Sequence, residues 1–557
     1  MIQGKVDSRR HHLQKEVLKM FDHRKIPVYL FLVIVLLFAV GASARAVNPI
    51  SDPRTESLGD SLLANGFEIN DGYPMLCSTD PEKTCKEYTY PALNSCLGLN
   101  PAAPYIMAVV KSWPNEYVEP ITINAFGPVR PGYSPIYRLD PREAVVIYGL
   151  MPPPGKYMGL QTWEWSQRGR WKPKDYYKWA TTPDQPFPMD LVFSTMPPND
   201  PLSGRVFSFS ALGDIVNNVV MERQSGYAFG QYRYFIITPS ATTDHAIRSA
   251  LQSMGVENSN IFTEQIPSSD EYGPIGPLGM GRDAIEFNTW FRYAMPDPEY
   301  KVAAEEWRSE LPLKVLRVRP IRSKGPVAGY GSLIFESRTA QSEADLADDM
   351  QKLIEAVCSR AGSTFNLHSA DCAASPPAPS FMVDPVRDYG WTGPYCREIN
   401  MNCDGDQNDA AYFYSGPLPL DLGQVYAAVG TLATETGNAT YVGLSIHDAS
   451  TFYAAKNLSD GDLKGSSDGY ASTVHNTDMF FVQFFARNCE SIQALTDGRC
   501  TTITEKMVPP PGASAQGDPA LQGMLQIGLR DYIVPETQRG PDSTKLLTPR
   551  ILRFTQP

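Results

Sequence analysis

The sequence predicts an α+β protein that is β-rich, with antiparallel or mixed sheets, a few amphipathic helices, disulfide stabilisation and two packed lobes. Three observations predict it. The 557 residues are 42% hydrophobic and 11% aromatic, ample for folded cores, while the chain is too long for one simple core. Short apolar and β-branched runs alternate with Pro and Gly clusters along most of the length. Nine cysteines fall in short-range groups, all of them beyond an N-terminal apolar leader.

The leader comes first. A basic stretch with Arg9, Arg10, Lys15, Lys19, Arg24 and Lys25 precedes an apolar run from Ile26 to Ala44. Residues 1–46 therefore read as a signal peptide, with small residues at Ala44-Arg45-Ala46 suited to cleavage near Ala46. About 19 apolar residues also suffice to cross a bilayer, so the alternative is an uncleaved signal anchor, with membrane contact only through residues 26–44. The positive charges lie on the N-terminal side, and both readings put residues 47–557 outside the cytosol. The protein is expected to be secreted or extracytoplasmic, or else single-pass with its C-terminal body outside. Residues 1–46 carry eight basic and three acidic side chains of the 49 and 61 in the chain, which leaves residues 47–557 at a net −17. That balance argues against a nucleic-acid partner.

An exported chain uses cysteines as disulfides. Neighbour pairing predicts Cys358–Cys372, Cys396–Cys403 and Cys489–Cys500, plus one bond among Cys77, Cys85 and Cys96, with one thiol left over. No CxxC occurs, so neither a thioredoxin-like site nor a paired zinc knuckle is indicated.

In the N-terminal lobe, residues 47–335, Tyr105–Lys111 and Ala144–Leu150 read as strands. Met151-Pro-Pro-Pro-Gly155 forces a turn before a strand near Tyr157–Trp165. A strand at Tyr232–Pro239, a helix at Asp244–Met254 stopped by Gly255, and a strand at Ile261–Ile266 predict a β-α-β unit over 232–266. In the C-terminal lobe, residues 336–557, Leu346, Met350, Leu353, Ile354 and Val357 form one apolar stripe on a helix from Glu343 to Arg360, capped by Ser342 and ended by Gly362. The Pro-rich segment Gly362–Gly390 is the linker candidate. Further on, Ala411–Ser415 reads as a strand, and Gln424–Thr431 and Thr440–Ile446 flank Glu435–Asn438 as a hairpin.

Familiar catalytic signatures are absent: there is no GxSxG elbow, HExxH helix or Walker loop, and the four histidines beyond the leader lack metal-ligand spacing. Two concentrations of chemistry remain. Cys403-Asp-Gly-Asp-Gln-Asn-Asp409 gathers oxygen donors, which makes Asp404, Asp406, Asn408 and Asp409 candidate calcium ligands. Asp409 stands where a calcium hand has its turn glycine, and Ser415 where it has its bidentate Glu. Trp163, Trp165, Trp171, Tyr176, Tyr177 and Trp179, interleaved with Arg and Lys, read first as core or inter-domain packing, the alternative being stacking faces for a sugar ring or an anionic polymer. Asn438-Ala-Thr and Asn457-Leu-Ser are glycosylation candidates, the first at an expected exposed turn.

These features predict an exported binding or structural protein with calcium and with a glycan or other cell-surface ligand as its contacts. The alternative is an extracytoplasmic hydrolase or lyase using carboxylates such as Glu164 and Asp175 as acid and base.

Overall fold

The computed structural model describes residues 53–77, 81–93, 95–120, 122–168, 205–322, 327–332, 334–399 and 402–556. The expected leader and the basic-aromatic stretch from Trp171 to Trp179 lie outside them. Asp52–Pro557 forms one compact unit.

The N-terminal half builds two large sheets. Strands β1 (Phe67–Asp71), β2 (Tyr73–Leu76), β3 (Tyr105–Lys111), β4 (Ala144–Leu150), β5 (Gly155–Arg168), β6 (Arg205–Ala211), β7 (Tyr232–Thr238), β8 (Ile261–Gln265), β9 (Glu286–Pro296) and β10 (Leu313–Pro320) sort into two orders. One is β1-β10-β4-β7-β8 and the other β2-β3-β9-β5-β6. Ladders within both are antiparallel except β7 with β8, which run parallel around helix α1 (Ala241–Ser253) as the expected β-α-β unit. The helix starts three residues earlier than expected because the Ser240 side chain caps it, accepting from Thr243 N at 3.1 Å.

The unbroken apolar run of β4 has a physical reason: both faces are buried. Ala144, Val146 and Tyr148 pack with Ile247 and Leu251 of α1, while Val145 and Ile147 face the core that holds Leu160 and Phe291 of the second sheet.

The C-terminal half is a two-sheet sandwich. Its elements are α2 (Ala347–Phe365), α3 (Gly393–Glu398), β11 (Ala410–Tyr414), β12 (Gln424–Thr431), β13 (Tyr441–Asp448), β14 (Tyr453–Ser459), β15 (Phe480–Ala486), β16 (Met524–Tyr532) and β17 (Arg550–Thr555). One sheet centres on β17-β12-β15 and the other runs β11-β16-β13-β14. Tyr426, Ala428, Phe481 and Phe485 of the first meet Leu444, Ile446, Ile527 and Leu529 of the second. The outer face of the first carries Val425, Ala427 and Val429 against Leu353, Ile354 and Val357 of α2, the stripe read from sequence. The helix runs past Gly362 and stops at Asn366, whose left-handed backbone (φ 53°) closes it.

The hairpin expected around Glu435–Asn438 does not form. β12 is flanked on both sides by β15 and β17, so β13 crosses to the other sheet and 435–438 becomes a corner. Among the described residues no strand pairs across residue 335. The Pro-rich segment is tied down where Ser380–Phe381 pairs with β17.

Four disulfides form: Cys85–Cys96, Cys358–Cys372, Cys396–Cys403 and Cys489–Cys500. They point to an oxidising, extracytoplasmic environment. Cys77 is the remaining thiol; it is buried, and burial pushes its pKa up to about 12, away from the reactive thiolate. Among the described residues no helix is long and apolar enough to cross a membrane.

Candidate functional site

The acidic loop docks on an open sheet edge. β6 ends its sheet, and an unpaired edge exposes backbone donors and acceptors. Residues 403–406 cover this edge: Cys403 N donates to Ser208 O at 2.8 Å, Gly405 N to Phe209 O at 2.9 Å, and Ala211 N to Asp406 Oδ1 at 2.7 Å. The Cys396–Cys403 disulfide and the N–H of Gly393, 2.8 Å from Asp406 Oδ2, fix α3 beside it. A side chain at Gly393 would place Cβ 2.6 Å from Ala211 O, and one at Gly405, where φ is 71°, would strike the Phe209 ring. The two glycines permit the close approach.

The loop sends its carboxylates in three directions. Asp406 is held by the two backbone donors above, with burial raising its pKa to about 6. Asp409 lies in the core, accepts from Tyr157 Oη at 2.7 Å and sits 3.7 Å from Arg292. Asp404 adopts φ 50°, and its Oδ1 is sealed from solvent without a hydrogen bond; burial holds its pKa well above the carboxylate range. Asn408 donates to Gly213 O at 3.3 Å. Among the described residues no group of three or more His, Cys, Asp or Glu is arranged to hold a metal ion.

Asp404 and Asp406 line a cavity of about 70 Å³ where the two halves of the body meet. Aromatic walls come from Phe209, Trp290, Trp391 and Tyr412. The cation on the lining is Arg530, buried on β16, which donates to Ser445 Oγ at 2.5 Å and Gly98 O at 2.6 Å. Arg530 also lies over the Tyr412 ring, 5.8 Å from its centroid. His447 is fully buried beside Tyr414, and burial first, then Arg530, keeps it neutral.

Trp163 and Trp165 are fully buried in an aromatic core with Phe126, Phe207, Phe209 and Trp290 rather than on a surface. They support the cavity from behind: Trp163 Nε1 donates to Asp406 O at 3.0 Å, and its ring is 5.2 Å from that of Trp290. Glu164 is sealed inside the fold, accepting from Ser208 Oγ at 2.7 Å and lying 4.0 Å from Arg397. Asp175 lies outside the described residues. Asn438 is buried where an exposed turn was expected, because its amide ties the sandwich corner together, donating to Glu343 Oε1 at 3.0 Å and accepting from Gln341 N at 2.7 Å. Asn457 lies on β14 and donates to Tyr441 Oη at 3.3 Å.

Sequence reasoning found the loop but missed Trp290, Trp391 and Arg530, which come from separate elements. One signal was present: Arg530-Asp531 interrupts the apolar run of Met524–Tyr532, and a charge inside a buried strand calls for a specific partner.

No family model matches the chain, and no curated protein matches it. Among solved structures, an uncharacterised protein from Burkholderia cenocepacia aligns over 91% of both chains at 10% identity, with a TM-score of 0.31. A likeness that weak carries no argument about this chain.

Proposed function

We propose that the protein is an exported binding protein that holds a sugar ring in the cavity between the acidic loop and β16. The observation that supports this most is the lining itself, which combines aromatic side chains with the carboxyls of Asp404 and Asp406 and the guanidinium of Arg530. A sugar presents apolar C–H faces to aromatic rings and hydroxyls to polar groups, and a concave apolar site with few polar groups is the usual form of a small-ligand site. Export is supported by the basic and apolar leader, with cleavage near Ala46, and by the four disulfides.

A glycan screen followed by calorimetry on the full chain tests this reading. Binding is expected, with Trp391→Ala and Asp404→Asn each weakening it at least tenfold; unchanged affinity in both variants refutes the site. A second reading, sugar hydrolysis, is favoured by one observation. Burial raises the pKa of Asp404 well above the ordinary carboxyl value, the direction a general acid requires. Product analysis of the bound glycan separates the two readings, since a hydrolase shortens it and a binding protein returns it intact.

A further inference from the structure

Arg530 differs from the other buried arginines. Among the described residues, Arg138, Arg205, Arg292, Arg317, Arg397 and Arg539 are also buried, and each has a carboxylate within ion-pair distance. Arg233 lacks one but donates to four neutral acceptors, the carbonyls of Tyr232 and Tyr227 with Asn260 Oδ1 and Ser225 Oγ, and it does not line this cavity. Arg530 has neither arrangement. It makes two hydrogen bonds to neutral oxygens with a group that has five N–H donors, and no carboxylate of the described residues lies within 4.0 Å.

A guanidinium withdrawn from water without a counter-charge is costly, and the cost falls when an anion enters beside it. Asp404 lines the same cavity but stands farther from Arg530 than an ion pair allows, and its Oδ1 has no partner. The cavity lining thus holds a guanidinium with spare donors, a carboxyl with a spare oxygen, and aromatic side chains. At about 70 Å³ the cavity has room for about five waters, enough for a carboxylate and the edge of the ring that bears it.

We propose that the ligand is an anionic sugar, a pyranose bearing a carboxylate, whose carboxylate pairs with Arg530 while a ring hydroxyl bonds Asp404. This rests on the sugar-binding reading above and narrows its substrate class. The planar fork of Arg530 suits a carboxylate better than a point charge would, and pairing there completes the charge balance that the fold leaves open.

The test is calorimetry on the full chain at low salt with glucuronate and galacturonate, each against its neutral counterpart, glucose and galactose. The expected result is binding of a uronate at least tenfold tighter than its neutral partner, with that preference lost in Arg530→Gln and reduced in Arg530→Lys. If a neutral sugar binds as tightly as its uronate in the wild type, the anionic assignment is overturned and the sugar-binding reading stands. If the wild type binds none of the four sugars, both fall. The wild-type comparison needs no variant to fold.

Discussion

Two buried arginines on neighbouring halves of the molecule show how the fold treats charge. Arg317, on β10, is sealed against Glu116 and Glu143, and Trp113 Nε1 completes the group by donating to Glu143 at 2.6 Å. Arg530, on β16, is as deeply buried but has neutral acceptors only. A charge matched within the chain belongs to the architecture. A charge left unmatched beside a cavity belongs to what enters it.

The largest effect that would break this comparison is on stability. Arg317→Gln strands two buried carboxylates and should destabilise by about 3–5 kcal/mol. Arg530→Gln removes an unmatched charge along with two neutral hydrogen bonds, and should change stability by no more than about 1 kcal/mol. Denaturation of both variants checks the pair.

The comparison extends to carboxyls. Glu264 on β8 accepts from Thr162 Oγ1 at 2.6 Å, has no cationic partner among the described residues, and is raised by burial to about 7. A raised carboxyl means that the folded state holds the proton more tightly than the unfolded one. Its stabilisation is complete below the unfolded value near ~4.3 and is lost as pH rises through about 7. Glu264 should therefore impose a fall of about 4 kcal/mol across that window, and Glu264→Gln should flatten the melting temperature between about pH 4 and pH 8.

Smaller again is Gly393→Ala, which forces Cβ against Ala211 O and should cost about 1–3 kcal/mol while loosening the acidic loop, read as weaker sugar binding. The smallest effect concerns Cys77. A thiol-specific reagent should label no cysteine in the native protein and one after unfolding without reductant, since the other eight are bonded.

Much of the local structure was legible in the sequence. Tyr105–Lys111, Ala144–Leu150 and Gln424–Thr431 form strands with the expected bounds, because apolar and β-branched runs between turn residues leave few alternatives. Export and neighbour spacing anticipated three disulfides and left the fourth open among Cys77, Cys85 and Cys96, which the structure resolves as Cys85–Cys96. The 435–438 corner was not legible, since a hairpin and a sheet-to-sheet crossing share the same turn residues and differ only in which strands flank β12.

The site divided in the same way. The loop's composition marked its position, but the directions of Asp404, Asp406 and Asp409 depend on the edge of β6, on Gly393 and on Arg292, all distant in sequence. Trp163 and Trp165 read from sequence first as core and second as a ligand platform, and the contacts with Phe207, Phe209 and Trp290 place them in the core.

The most direct test of the account is a paired thermal melt of Arg317→Gln and Arg530→Gln, with the wild type as reference and a uronate added to each. The account predicts a large loss of stability in Arg317→Gln, near-wild-type melting in Arg530→Gln, and a ligand-induced rise that only Arg530→Gln fails to show. Equal destabilisation in both, or a rise that persists in Arg530→Gln, would contradict it.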